Sequence, residues 1–475
     1  MPLLTPTRAL SGLAALLLLS LLWTLGFPHR YDTSALPIYS HDAPKEKPIG
    51  ASLIPEPLVE DAGGEGHPPE EQEKGSSPST ADGGQKEDCK NVRGVDKVMV
   101  IVRTSKAQVG VALPTHLKTL LSCASNVRVF SDHSGKVDGF RVYDALDGIT
   151  DETKSNHEEF LEYKKLQAIK NHRPDGEKAK ALDKWKWLPM IYRTAVMAPG
   201  YHFYLFIEPD TIFSWTNLVQ WLDRLDYRIP YYIGAPHTID DKRFAQREPG
   251  VILSYGALRQ YRTTYEERHV EEWESEVASS CCGDLVLATA MKHSRVEYYS
   301  SKGLTETDTP GKMEWTQKYW CMPVVSWHHL TFGENEAFAD SQKEWTQKHG
   351  WETPYVHYNA FEQLIMPHLA ETKDDWDNIS SDTQLKALPD RRDENVGGLA
   401  SAPTDSSTCQ TACQNSDDCL QWKHREGECH LGKALRLGAK APGKQKWTSG
   451  WILDRVNKVT GDWGKCERAD WRFNQ

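Results

Sequence analysis

The chain has 475 residues, 39% of them hydrophobic and 26% charged, enough for packed cores in about two or three domains. Lysine and arginine total 56 against 67 aspartates and glutamates, a net charge of −11. That balance excludes a nucleic-acid partner, which requires a basic face to neutralise phosphates.

Ala9 to Phe27 is a stretch of 19 residues without a charge, long enough to span a hydrocarbon core of roughly 30 Å. It ends Trp23-Thr24-Leu25-Gly26-Phe27-Pro28, a poor cleavage site, so it reads as a signal anchor and not as a removed leader. Residues 1–8 are then a cytoplasmic tail and the rest is luminal: a single-pass type II membrane protein of the Golgi or secretory pathway. Residues 28–88 hold 13 acidic and 5 basic side chains and hardly an aromatic one. Such a segment cannot bury enough apolar area to offset chain entropy, and it reads as a flexible stem.

From residue 89 the texture changes. Val98-Met99-Val100-Ile101-Val102 is a continuous apolar run, as expected for a strand buried on both faces. An amphipathic pattern follows (Leu113, Leu117, Leu120, Leu121), then a second strand, Val127–Phe130. Helical patterns recur at Glu158–Ile169 and Asp183–Met197, a third strand at Phe203–Ile207 and a helix at Trp215–Leu225. Alternating strands and helices predict an α/β layer with a mainly parallel sheet over residues 89–373. Residues 374–408 are polar and Pro-bearing, the pattern of a linker. The only sequon, Asn378-Ile379-Ser380, lies there as a candidate glycosylation site.

Ten cysteines, an even number, permit five disulfides. Cys409, Cys413, Cys419 and Cys429 crowd into 21 residues without histidines at zinc spacing, so disulfides in an oxidising compartment are expected. Their pairing stays open. Cys281, Cys282 and Cys321 are further candidates, with a bridge from Cys321 to Cys281 or Cys282 expected.

The strand ending at Ile207 leads directly into Glu208-Pro209-Asp210-Thr211. Ligands bind outside the carboxyl ends of such strands, and two carboxylates there suit a hard divalent cation and a diphosphate. The alternative is a solvated turn in which Asp210 or Thr211 caps the next helix.

Four stretches in order resemble the Fringe-like and core 1 β1,3-galactosyltransferase family, glycosyltransferase family 31, closest to its fungal Fringe-like branch. They are Phe206-Ile207-Glu208-Pro209-Asp210-Thr211 with Trp215-Thr216-Asn217-Leu218; Pro249-Gly250-Val251-Ile252-Leu253-Ser254; Cys282-Gly283-Asp284-Leu285-Val286-Leu287; and Pro323-Val324-Val325-Ser326-Trp327-His328-His329. The resemblance implies a GT-A, Rossmann-like fold and an inverting transferase that uses a UDP-sugar and Mn²⁺ or another divalent cation. It implies Asp210 and His328 as metal ligands, with His329 the alternative to His328. Asp284 is the implied general base, unless it merely caps its helix. Glu208, Asp210 and Thr104 are the implied contacts of the nucleotide donor, and Gly250, Gly283 and Trp327 those of the substrate. The expected product is a β1,3 linkage to a glycan or glycoprotein. A non-catalytic carbohydrate-binding protein on the same scaffold is the competing expectation.

The chain departs from the family at two places. Glu208 stands where the family has aspartate, and Arg247-Glu248-Pro249-Gly250 replaces a glycine-rich turn. Trp215, Trp273, Trp315 and Trp327 lie near the motifs, to stack on sugars or to pack the core. Residues 409–475, with Cys429-His430-Leu431-Gly432 and Trp447-Thr448-Ser449-Gly450-Trp451, resemble a PAN/apple-type module that binds protein or carbohydrate.

Overall fold

The computed structural model describes Cys89 and residues 92–472, apart from 112, 125, 174–175, 329–331, 387–404 and 442–445. The expected anchor (9–27) and stem (28–88) lie outside the described residues, as does His329. Among the described residues no helix is long and apolar enough to cross a membrane.

The chain is a mixed α/β protein around an eight-stranded sheet. Its strands are β1 (Val98–Arg103), β2 (Val127–Ser131), β3 (Gly135–Val137), β4 (Phe140–Asp144) and β5 (Phe203–Ile207), then, beyond a short β6 (Ile212–Phe213), β7 (Tyr231–Ile239), β8 (Lys242–Ser254) and β9 (Glu297–Ser300). The order is β3-β4-β2-β1-β5-β8-β7-β9, with β4, β2, β1 and β5 mutually parallel. Every residue of β1 and β5 is buried, which explains why their apolar runs are continuous and not alternating. β8 runs antiparallel to β5, and β7 antiparallel to β8.

Two irregularities in this framework shape the site. The pattern Asp183–Met197 predicts one helix, yet the chain makes two, Gly176–Asp183 and Trp187–Met197. Pro189 has no N–H to donate and is tolerated only in a first turn, so the second helix begins just before it. The break turns Asp183 and Lys186 toward the sheet's carboxyl edge. The second irregularity lies in β8, where Gly234 pairs with Val251 but Ala235 pairs with Gln246. Arg247 to Gly250 are thereby looped out of the ladder, as in a bulge. Pro249 loses no ladder bond there, and Gly250 adopts φ +100°, a conformation that side-chain-bearing residues rarely take.

A small sheet carries the second half of the site: β10 (Thr305–Glu306), β11 (Ser326–Trp327) and β6, in the order β10-β11-β6. The C-terminal sheet comprises β13 (Thr383–Lys386), β14 (Gln421–Arg425), β15 (Glu428–Gly432) and β17 (Thr448–Trp451), in the order β13-β15-β14-β17. β12 (Trp376–Asp377) pairs with β16 (Ala439–Lys440) beside it. The stretch expected as a linker therefore contributes β12 and β13 at its start. The apolar core does not stop at residue 373 either: Trp315, Trp320, Trp327 and Phe338 pack in one cluster with Leu435, Leu437, Trp451 and Val456.

All ten cysteines are bonded: Cys89–Cys123, Cys281–Cys282, Cys321–Cys466, Cys409–Cys429 and Cys413–Cys419. The expected bridge from Cys321 to Cys281 or Cys282 is corrected. Cys321 ties the large domain to the C-terminal segment, while Cys281 and Cys282 bond each other.

Candidate functional site

Parallel β1 and β5 end side by side, with Val102 opposite Ile207, so Arg103 and Glu208 emerge as neighbours at the sheet's carboxyl edge. A tight turn follows Glu208: Thr211 N–H donates to Glu208 O at 3.1 Å, and Thr211 Oγ1 accepts from Glu208 N–H at 3.2 Å. The next helix, Trp215–Leu222, is capped by Ser214. Capping by Asp210 or Thr211 is thus replaced as an explanation for the acidic turn.

β6 begins immediately after that turn and pairs with β11, Ile212 opposite Trp327. One residue further along this register brings His328 beside Thr211, with His328 Nδ1 3.3 Å from Thr211 Oγ1. His328 is 1% exposed and lies between two carboxylates, Nδ1 3.5 Å from Asp210 Oδ1 and Nε2 3.8 Å from Glu208 Oε2. One ligand atom from each of Glu208, Asp210 and His328 lies within 4.8 Å of the others. Two carboxylate oxygens and an imidazole nitrogen fit a divalent cation such as Mn²⁺. Asp210, its side chain 44% exposed, leaves the centre open on the solvent side.

The triad is held from behind. Arg103, its side chain 3% exposed, makes an ion pair with Glu208 and another with Asp183, and its guanidinium lies 5.2 Å from the Trp187 ring centroid. Burial pushes Asp183 up, but Arg103 and Lys186, with Arg247, hold it far below the usual carboxylate range. Lys186 is buried between Asp183 (3.3 Å) and Asp132 (3.1 Å) and donates to Thr104 O at 3.0 Å. Thr104, expected as a donor contact, follows directly on β1, its buried hydroxyl without a hydrogen-bond partner among the described residues. On the other side His116 Nε2 lies 2.6 Å from Thr211 O. Burial lowers this imidazole to about 4, so it is neutral and donates, fixing the carbonyl next to Asp210.

Arg247 occupies the middle of the site. Its guanidinium lies 3.4 Å from Glu208, 3.5 Å from Asp183, 3.7 Å from Asp284 and 3.9 Å from Glu248. The bulge that presents it is pinned by Thr211 Oγ1 donating to Glu248 O (2.7 Å) and Ser326 Oγ donating to Pro249 O (2.5 Å).

Asp284 stands across Arg247 from the triad. Cys282 is the N-cap of the helix Gly283–His293, and Asp284 lies in its first turn, so the capping alternative is corrected. Asp284 Oδ1 accepts from Trp187 Nε1–H and Oδ2 from Arg247 N–H, both at 3.1 Å. Burial raises its carboxyl above the ordinary aspartate value, offset in part by Arg247 and Arg103.

Other expected contacts have structural roles. A Cβ on Gly283 would lie 2.5 Å from Trp187 Cδ1, and one on Gly250 would lie 3.4 Å from Ile207 Cγ2. Both glycines admit protein neighbours. Trp327 is 0% exposed and packs edge-on against Phe338, so its expected sugar contact is corrected to core packing. Trp215, Trp273 and Trp315 are buried as well. Asn378 is corrected too: it is 0% exposed, its Nδ2 donates to Trp422 O and Gly450 O, and its Oδ1 accepts from Ser380. In the folded chain that nitrogen is not presented to a glycan.

Sequence reasoning missed Arg103, Asp183, Lys186 and His116. Arg103 left a signal, a charged residue closing a strand buried on both faces. Asp183 meets Arg103, Lys186 meets Thr104 and His116 meets Thr211 only across 80 residues of chain or more, and these three left none.

No family model and no curated protein matches the chain. A solved structure described as a glycosyltransferase involved in the glycosylation of the major capsid of PBCV-1 is similar at 10% identity over 51% of this chain and 98% of that one, with a TM-score of 0.28.

Proposed function

We propose that the chain is a metal-dependent, inverting hexosyltransferase that moves a sugar from a UDP-sugar to a hydroxyl of a glycan or glycoprotein, forming a β1,3 linkage. In this reading it is anchored by residues 9–27 in a Golgi or secretory membrane. The observation that carries the reading is the convergence of Glu208, Asp210 and His328 at the end of β5, with Asp284 joined to them through Arg247. A bound divalent cation would neutralise charge on the departing diphosphate. Arg103 fixes one oxygen of Glu208, leaving the other toward His328. Asp284, desolvated and oriented by Trp187 and Arg247, takes the proton from the acceptor hydroxyl. A single displacement assisted by one carboxylate inverts the anomeric centre.

A carbohydrate-binding protein without transfer is the second reading, favoured by the position of the Arg247 guanidinium between Glu208 and Asp284. A screen of UDP-sugars for Mn²⁺-dependent UDP release separates the two. Release with at least one donor supports the transferase, and binding without release supports the second reading.

A further inference from the structure

The bond between Cys281 and Cys282 has no evident stabilising purpose. A disulfide stabilises a fold mainly by closing a loop of the unfolded chain, and this one joins adjacent residues, whereas Cys321–Cys466 spans 145. The pair is not part of the core either: Cys281 is exposed and Cys282 half-buried.

Its setting is fastened by hydrogen bonds and adjoins the helix turn that carries Asp284. Lys184 Nζ donates to Ala278 O at 2.9 Å and to Ser280 O at 3.4 Å. Ser280 Oγ donates to Cys282 O at 3.2 Å and accepts from Cys282 N–H at 3.3 Å. Gly283 abuts Trp187 and Lys184, so the turn is fastened to the segment that supplies Asp183 and Lys186. Asp284 follows two residues after the second sulfur.

We infer that the Cys281–Cys282 disulfide is the apolar plate of the acceptor subsite and seats the C–H face of a pyranose ring whose hydroxyl points to Asp284. Sulfur is large, polarisable and a weak hydrogen-bonder, so it contributes dispersion without competing for the sugar's hydroxyls. Sugar sites pair such an apolar surface with a few placed polar groups. The tryptophans near the motifs are buried and do not offer that surface. The inference rests on the transferase reading and deepens it: the acceptor is a glycan presented as a ring, not the side-chain hydroxyl of a bare polypeptide.

The test uses the full chain and the variant Cys281→Ala/Cys282→Ala. Methyl pyranosides of galactose, glucose, mannose and N-acetylgalactosamine are titrated by saturation-transfer NMR in the presence of Mn²⁺ and UDP. Binding of at least one pyranoside should weaken about ten-fold in the variant, the order expected for losing about 50 Å² of apolar contact. Melting temperature and Mn²⁺-dependent UDP affinity should not change. Should the alanine variant fold poorly, Cys281→Ser/Cys282→Ser answers the same question with a polar surface of similar size. Equal affinity in wild type and variant, or no pyranoside binding to the wild type, overturns the inference. Absence of Mn²⁺-dependent UDP binding in the wild type is a separate result that counts against the transferase reading, and pyranoside weakening still decides the role of the plate.

Discussion

Replacing Asp284 by asparagine separates chemistry from architecture at this site. The carboxylate receives two N–H donors, Trp187 Nε1 and Arg247 N, one on each oxygen. Asparagine has only one acceptor oxygen, so one of these buried donors would face an amide NH₂. An unsatisfied buried donor costs about 1–3 kcal/mol. The half-buried Arg247 also loses its partner at 3.7 Å, a smaller loss of about 0.5–1 kcal/mol because solvent reaches it. A total near 2 kcal/mol should leave the protein folded. If Asp284 is the base, transfer should fall by about 10²–10⁴-fold, well beyond what such destabilisation alone explains. Because burial raises the Asp284 carboxyl, wild-type transfer should also decline on the acid side at a pH above the ordinary aspartate value of 3.8. The assay is kcat for sugar transfer across pH, with urea unfolding of both proteins. A folded asparagine variant that transfers at the wild-type rate refutes the role assigned to Asp284.

Cys321→Ser/Cys466→Ser opens a span of 145 residues and should cost about 4–5 kcal/mol, read as a lower urea midpoint. Cys281→Ser/Cys282→Ser should leave that midpoint unchanged. Peptide mapping of the protein expressed through a secretory pathway should find Asn378 unmodified. Asn378→Ala should destabilise by about 2–3 kcal/mol by removing the amide's hydrogen bonds to the Trp422 and Gly450 carbonyls and those it accepts from Ser380; a glycan on Asn378 in folded protein would contradict its buried position. Glu274 is desolvated, yet His269, Thr150 and Thr153 hold its carboxyl at about 2, below its ordinary 4.5. A depressed acid contributes stability above its unfolded value and loses it as pH falls through its folded one, so Glu274→Gln should cost about 2–3 kcal/mol at pH 7 and almost nothing near pH 2. Equal destabilisation at both pH values would show that the loss is not electrostatic.

Much of the framework was legible because local rules decide it. A strand buried on both faces shows as an unbroken apolar run, and Phe203–Ile207 has the expected bounds. The acidic turn was legible because it directly follows such a strand, and His328 because a motif marked it. The surrounding ion network depends on contacts that no local pattern encodes. Arg247 read as a defect in a glycine-rich turn, and only the pairing shift in β8 shows that the chain loops it into the acidic site. The two strands inside the expected linker were not legible for a similar reason. β12 and β13 are short and polar, so nothing in their own sequence shows that they complete sheets with strands far along the chain. Asn378 matched a surface modification signal, but its amide serves buried carbonyls more than 40 residues away.

The central claim is that Glu208, Asp210 and His328 hold a divalent cation at a nucleotide site. Calorimetric titration of UDP into the protein, with and without Mn²⁺, tests it most directly when wild type and Asp210→Ala are compared. Wild type should bind UDP only with Mn²⁺ present, and Asp210→Ala should lose that binding while keeping its melting temperature. UDP binding that is indifferent to Mn²⁺, or unchanged in Asp210→Ala, would contradict the claim.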